Sequence, residues 1–229
     1  MLRIEGLAKA FTLHNQGGVH LPVLAGVDLE VRAGECVVLT GASGAGKSSL
    51  MRAIYANYAA TAGRVLVRHR GCWVDMASAS PRQVIAVRRT TLGYVSQFLR
   101  VIPRVPALDV VAEPLVADGI EAGTARKRAA AMLARLNLPE RLWSLPPATF
   151  SGGEQQRVNI AHGLIRDYPV LLLDEPTASL DAENRRVVVD LIHEARARGA
   201  ALVGIFHDAD LCDRIAARRV DVEAFRPAA

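Results

Sequence analysis

A run of apolar residues, "ECVVLT" (35–40), leads without a break into "GASGAGKS" (41–48), after which the chain turns amphipathic. No other stretch constrains the fold so tightly. A continuous apolar run of this length reads as a strand buried on both faces, the mark of a parallel sheet covered by helices. The glycine-rich segment matches G-x-x-x-x-G-K-[ST], and it meets both requirements of context, a strand before it and a helix after. Gly41, Gly44 and Gly46, with Ala42, Ser43 and Ala45 between them, let the backbone turn so that its N–H groups converge on phosphate oxygens. The helix that starts there adds the positive end of its dipole. Lys47 supplies a point charge for terminal phosphates, the Ser48 hydroxyl is a hard ligand for Mg2+, and Ser49 completes the cradle.

A second segment adds acids. "PVLLLD" (169–174) is another buried strand ending in Asp174, and a carboxylate there is costly unless a cation satisfies it, here Mg2+ through a water molecule. Glu175 follows and points to the other side of the strand line, where it can polarise a water attacking a terminal phosphate. Taken alone, the pair could equally cap the next turn. A third segment, "SGGEQQRV" (151–158), opens an amphipathic helix with a small hydroxyl and two glycines. By itself it reads as an ordinary N-cap at Ser151 with Glu154 in the first turn.

Around these motifs the chain alternates strands and helices. Residues 2–9 and 22–31 alternate as half-buried strands joined by a loop with Gly17 and Gly18, "RVLVRH" and "CWVDM" suggest a short hairpin, and "TLGYVSQ" a further strand. A helix is expected from about Gly46 to Tyr58, another over "DAENRRVVVDLIHEARARG", and a third buried strand over "AALVGIF". Between them, residues 98–150 read as a helical insertion, with Pro103 and Pro106 ahead of two helical stretches. The expected fold is α/β, a P-loop core (1–97 and 151–229) with an N-terminal antiparallel β subdomain and a helical subdomain (98–150), all one domain of 229 residues.

The longest apolar runs fall short of the roughly 20 residues of a membrane helix, and "MLRIEGLAKAF" lacks the layout of a signal peptide. A cytoplasmic protein is expected. The three cysteines, Cys36, Cys72 and Cys212, have no paired spacing and read as buried small hydrophobes rather than disulfides or zinc ligands. The net charge of +5 is spread over separate arginine-rich stretches, and aromatics make up only 5% of the chain, which argues against a nucleic-acid groove.

Together, the P-loop, "LLLDEP" and "SGGEQ" resemble the ATP-binding cassette (ABC) ATPase family, and the likeness covers residues 1–215. It implies ATP and Mg2+ as ligands and two chains facing head to tail, as a homodimer or heterodimer. Ser151, Gly152, Gly153 and Glu154 would then close over the ATP of the facing chain. By the same resemblance Gln97 is the Q-loop residue that contacts the metal, Ser179-Leu180-Asp181 the D-loop, and His207 a switch histidine at the γ-phosphate. Phe11 stands where an adenine-stacking aromatic is expected, and it is equally readable as strand core. His162 stands where arginine is usual, which leaves the contacts of that helix open.

A narrower likeness runs through "LHNQGGVHLPVL", "YANY", "VSQFLRVIPRVPALDVVAEPL", "ERLWSLPPATFSGGEQQRVNIA", "DYPVLLLDEPTASLDAENR" and "RGAALVGIFHD". These stretches look like the L component of the bacterial phosphonate carbon–phosphorus (C–P) lyase system, associated with making ribose 1-methylphosphonate 5-triphosphate from ATP and methylphosphonate. That resemblance implies C–P lyase core subunits and a sister ABC-type subunit as partners. The alternative is the ATPase of a membrane exporter of the lipoprotein-release or macrolide-efflux type, with a membrane partner. Non-transport ABC proteins acting on nucleic acid usually carry two cassettes in one chain, and this chain has one P-loop and one signature.

Overall fold

The computed structural model describes residues 1–13, 17–97, 99 and 103–227. The chain opens with two long antiparallel strands, β1 (Leu2–Leu13) and β2 (Val19–Val31). β3 (Cys36–Thr40) then enters the interior and delivers the chain to helix α1 (Lys47–Ile54). The hairpin of β4 (Ala62–His69) and β5 (Cys72–Asp75) returns to the first sheet, completing the order β2-β1-β4-β5.

Helix α2 (Pro81–Thr90) and strand β6 (Leu92–Val95) come next, followed by the helices α3 (Ala107–Ala117) and α4 (Ala122–Arg135) of the inserted lobe. Helix α5 (Gly152–Leu164), β7 (Val170–Asp174), α6 (Ala182–Ala197), β8 (Ala201–Ile205), α7 (Ala209–Ile215) and β9 (Arg218–Asp221) complete the chain, with a short 3-10 turn at Val222–Phe225. The second sheet has the order β6-β7-β8-β3-β9, and all of its pairings are parallel.

Two cores explain why the central strands are apolar throughout. On β7, Leu171 and Leu173 face the core shared with α3, α4, α5 and α6, while Val170 and Leu172 face the core shared with α1 and the first sheet. The same alternation holds on β3, where Cys36 and Val38 look one way and Val37 and Leu39 the other. Burying a leucine completely, as at Leu172, contributes about 1.5–3 kcal/mol.

The inserted lobe is fastened to the sheet by Arg166. Its guanidinium donates to the carbonyl of Pro114 at 2.6 Å, reaches the carbonyl of Arg89, and pairs with Asp118. That places a cation over the C-terminal end of α3, where the last carbonyls lack partners within the helix.

Several expectations are corrected. The helix after the phosphate loop ends at Ile54 rather than near Tyr58, because Ala56 adopts a left-handed conformation (φ 57°) that a helix cannot carry. The strands of the first hairpin run longer than their alternating pattern. Cys72 is exposed, whereas Cys36 and Cys212 are buried as expected. Helices α2 and α7 and strand β9 had no place in the sequence reading. Among the described residues, no helix is long and apolar enough to cross a membrane.

Candidate functional site

The phosphate loop, Gln97, Asp174, Glu175 and His207 gather at the carboxyl ends of β3, β6, β7 and β8, the edge where open parallel sheets take their ligands. The loop 41–46 leaves β3 and enters α1 through Gly46, whose φ of 101° belongs to the left-handed region. A Cβ there would also stand 3.0 Å from Leu24, so both backbone and neighbours require glycine. No side chain caps α1, and the N–H groups of its first turn are left to an external acceptor. Such a terminus is an anion site.

Two further contacts shape the loop. The Lys47 ammonium folds back to donate to the carbonyls of Gly41 at 2.6 Å and Ala42 at 2.9 Å. The Ala42 N–H donates to the Glu223 carboxylate at 2.6 Å, so the C-terminal 3-10 turn braces the outer arm of the loop. Gly41 (φ 125°) packs against Asp221 and Glu223, where a Cβ would come within 3.2 Å of both.

Asp174, at the end of β7, is only 2% exposed. Its Oδ2 accepts from the Tyr94 hydroxyl at 2.8 Å, and its Oδ1 lies 3.4 Å from the Ser48 hydroxyl. Burial raises its pKa above the ordinary carboxylate value, and the hydrogen bond from Tyr94 opposes that rise. A buried carboxylate in this state calls for a cation. Among the described residues no cluster of three or more His, Cys, Asp or Glu could hold a metal by itself. A cation here must therefore complete its shell with hydroxyl, phosphate or water oxygen, which suits Mg2+.

Glu175 sits one residue beyond the strand with a positive φ of 51°, an uncommon backbone for a side chain of its size. The two carboxylates take different partners: Asp174 bonds Ser48 and Tyr94, and Glu175 faces Gln97 and His207. Its Oε1 is 2.7 Å from His207 Nε2, and its Oε2 accepts from the Gln97 side-chain amide at 3.1 Å. The Glu175 side chain is 17% exposed, whereas that of His207 is 65% exposed. Gln97, expected as a metal contact, therefore turns its amide to Glu175.

Ser151 caps α5 and forms a capping box with Glu154. The Glu154 carboxylate accepts from the Ser151 N–H at 2.8 Å and from the Ser151 hydroxyl at 2.7 Å. Those bonds hold the Glu154 carboxyl below its ordinary pKa. Ser151 and Gly152 are exposed, and nothing lies within 4 Å of where a Gly152 Cβ would sit, while at Gly153 it would stand 3.0 Å from the Ser179 carbonyl. Asp181 is exposed and caps α6 by accepting from the Asn184 N–H at 2.8 Å. The structure thus gathers residues 41–49, Gln97, Asp174, Glu175 and His207 at one edge, while among the described residues the Ser151 helix start meets only its own residues and the Ser179 segment.

The inner face of α5 carries two buried polar side chains that sequence reasoning missed. The Gln156 amide donates to the Pro176 carbonyl at 3.1 Å, and the Asn159 amide to the Ser96 carbonyl at 2.5 Å. Helix α5 thereby grips the segments that carry Glu175 and Gln97. On its other side, His162 lies 3.7 Å from Glu113 of α3, the contact that stands where arginine is usual. Phe11 packs edge-on against Tyr58 at 5.2 Å, with the Lys9 ammonium 4.5 Å from its ring centre. Tyr94, Gln156, Asn159 and Glu223 were also missed, and their partners lie 20 to 181 residues away along the chain.

Fold and site together define a P-loop nucleotide-binding cassette. The sequence profile described as ABC transporter matches residues 24–178, and the chain belongs to that family. It is an ABC-type ATPase that takes ATP with Mg2+. The macrolide export ATP-binding/permease protein MacB of Brucella melitensis is 36% identical over 93% of this chain, which spans only 32% of that relative's length. The lipoprotein-releasing system ATP-binding protein LolD of Shewanella sp. (strain MR-4) is 35% identical over 94% of this chain and 90% of its own. Among solved structures, the dimeric bacterial ABC transporter cassette MJ0796 superposes with a TM-score of 0.86 at 27% identity, covering 97% of this chain and 95% of that one. The same protein is known as a dimer bound to ADP and Pi after hydrolysis.

Proposed function

We propose that the chain hydrolyses ATP as one half of a head-to-tail pair, with Glu175 as the group that polarises the attacking water. The observation that carries this reading is the position of Glu175. It stands beside the Asp174–Ser48 pair, with Gln97 and His207 on its two oxygens. Lys47 and the bare N–H groups of α1, through Ser49, hold the phosphates, and Ser48 and Asp174 hold Mg2+, which neutralises phosphate charge. With ATP and Mg2+ bound, His207 would turn to the γ-phosphate and Gln97 to the metal. That would leave a Glu175 oxygen free to take a proton from the attacking water as ADP leaves. Ser151, Gly152 and Gly153 of the facing chain close over the same phosphate with hydroxyl and N–H donors. Phe11 flanks the base, and Asp181 faces the partner from the D-loop.

Two finer readings concern what this engine drives. The relatives support a membrane exporter of the lipoprotein-release or macrolide-efflux type. The phosphonate reading is supported by the sequence likeness alone, which runs through residues 95–115 and 140–150, in and beside the inserted lobe, as well as through the shared ATP motifs. Part of that stretch (98 and 100–102) lies outside the described residues. Deleting the gene separates the two. Normal growth on methylphosphonate as sole phosphorus source, with an integral membrane protein co-purifying with the tagged chain, is the exporter outcome. Failed growth, rescued by the intact gene but not by a Glu175→Gln copy, is the C–P lyase outcome.

A further inference from the structure

Asp174 lies among apolar strands with its carboxylate bonded to two side chains, and only Ser48 belongs to the motifs read from the sequence. The other is Tyr94. It stands on β6 opposite Leu172 of β7, which brings its hydroxyl alongside the end of the neighbouring strand. The hydroxyl is 2.8 Å from Asp174 Oδ2, the oxygen turned away from Ser48. An ionised carboxylate can only accept, so Tyr94 donates. Burial beside that acid keeps the phenol protonated.

The ring is itself held. It packs on Tyr55 with centroids 4.9 Å apart, and Tyr55 closes the C-terminus of α1, the helix whose first turn carries Lys47 and Ser48. The Arg52 guanidinium, beside the Tyr94 hydroxyl, donates to Tyr58 at 2.6 Å. Tyr94 therefore bridges the Asp174 carboxylate and the far end of the phosphate helix.

We infer that Tyr94 is a positioning residue for Mg2+, fixing the rotation of Asp174 so that Oδ1 is presented beside Ser48. This rests on the reading of Ser48 and Asp174 as the metal-holding pair. Hydrogen-bond partners of ligands set ligand orientation and metal affinity, and removing one typically costs about 10–100-fold. Where the ligand acts through water, the low end applies.

The test uses the full chain and measures ATP binding calorimetrically, in EDTA and again in saturating Mg2+. Tyr94→Phe keeps the ring and its packing. Its metal-free ATP affinity should match the parent within about twofold, while the gain conferred by Mg2+ shrinks by about tenfold. Asp174→Asn is run in parallel. If Asp174→Asn lowers the Mg2+ gain and Tyr94→Phe does not, the role of Tyr94 is overturned and the metal site stands. A Tyr94→Phe variant that loses affinity equally with and without Mg2+ also overturns it, since the tyrosine would then be structural only. Should Asp174→Asn leave the Mg2+ gain intact, the metal-site reading falls, and the inference with it.

Discussion

The acid end of β7 and the start of α5 carry the two halves of the chemistry, and they are built in opposite ways. Asp174 and Glu175 are held from four directions, by Ser48, Tyr94, Gln97 and His207. Among the described residues, the Ser151 side chain bonds only to Glu154. Helix α2 shows that such a cap is not itself functional, since Ser80 and Gln83 form the same reciprocal box ahead of a proline. What sets Ser151 apart is the pair of glycines after it, which leaves a bare, exposed helix terminus. One region is closed by contacts within the chain, and the other is open, as the proposed pairing needs.

The largest effect that would break this contrast is at Glu175. Glu175→Gln keeps shape and hydrogen bonding but removes the basicity, so steady-state hydrolysis should fall by roughly 10²–10⁴ while ATP still binds. The same variant should pair in an ATP-dependent way, visible by light scattering. Parent-rate hydrolysis would remove Glu175 from the mechanism.

Next in size is Lys47, whose charge serves the closed half. Lys47→Ala should weaken MgATP affinity by at least about tenfold, through loss of charge-assisted bonds. An unchanged calorimetric affinity would refute the phosphate cradle.

The adjacent glycines sharpen the contrast further. Gly153→Ala forces a Cβ to 3.0 Å from the Ser179 carbonyl and should lower the melting temperature by about 2–4 °C, the shift expected from about 1 kcal/mol in a chain of this size. Gly152→Ala meets open space and should melt at the parent temperature or higher. Placed in the Glu175→Gln background, Gly152→Ala should nevertheless impair ATP-dependent pairing. If it pairs normally, the exposed helix start does not face a phosphate.

The smallest effect is a pH dependence at Glu154. Its carboxyl is held below its ordinary value of 4.5 by Ser151, so the contribution is present above that value and is lost as pH falls through the lowered folded one. Glu154→Gln retains an acceptor but no charge. The difference in melting temperature between parent and variant should therefore be constant near neutrality and fade below about pH 4.5. A difference that grows on acidification would contradict the capping-box bond.

What could be read in the sequence was what is local. The phosphate loop, the buried strands and the Ser151 cap each announce themselves within about eight residues, because strand burial, glycine turns and caps are short-range devices. Strand β9 escaped notice because "RRVD" pairs only along β3 and presents mostly exposed side chains. Helix α7, at seven residues, is too short to show a period. Tyr94 looked like one more alternating strand residue, and its hydroxyl finds a partner 80 positions away. Glu223 reaches the loop across 181 positions, a distance no local pattern records. Cys72 was misread because a cysteine on a short edge strand has no neighbouring layer to cover it.

Helix α5 has one end turned outward and an inner face bonded to Pro176 and Ser96. In a facing pair, that makes it a beam loaded at both ends. A tilt imposed by the partner's nucleotide at Ser151 is felt, through Gln156 and Asn159, at the chain's own Glu175 and Gln97. Linkage of this kind is symmetrical, so whatever free energy one ATP lends to its neighbour's binding is returned in equal measure. If the helix transmits such a tilt, filling one ATP site changes the affinity of the other by the same factor in either direction.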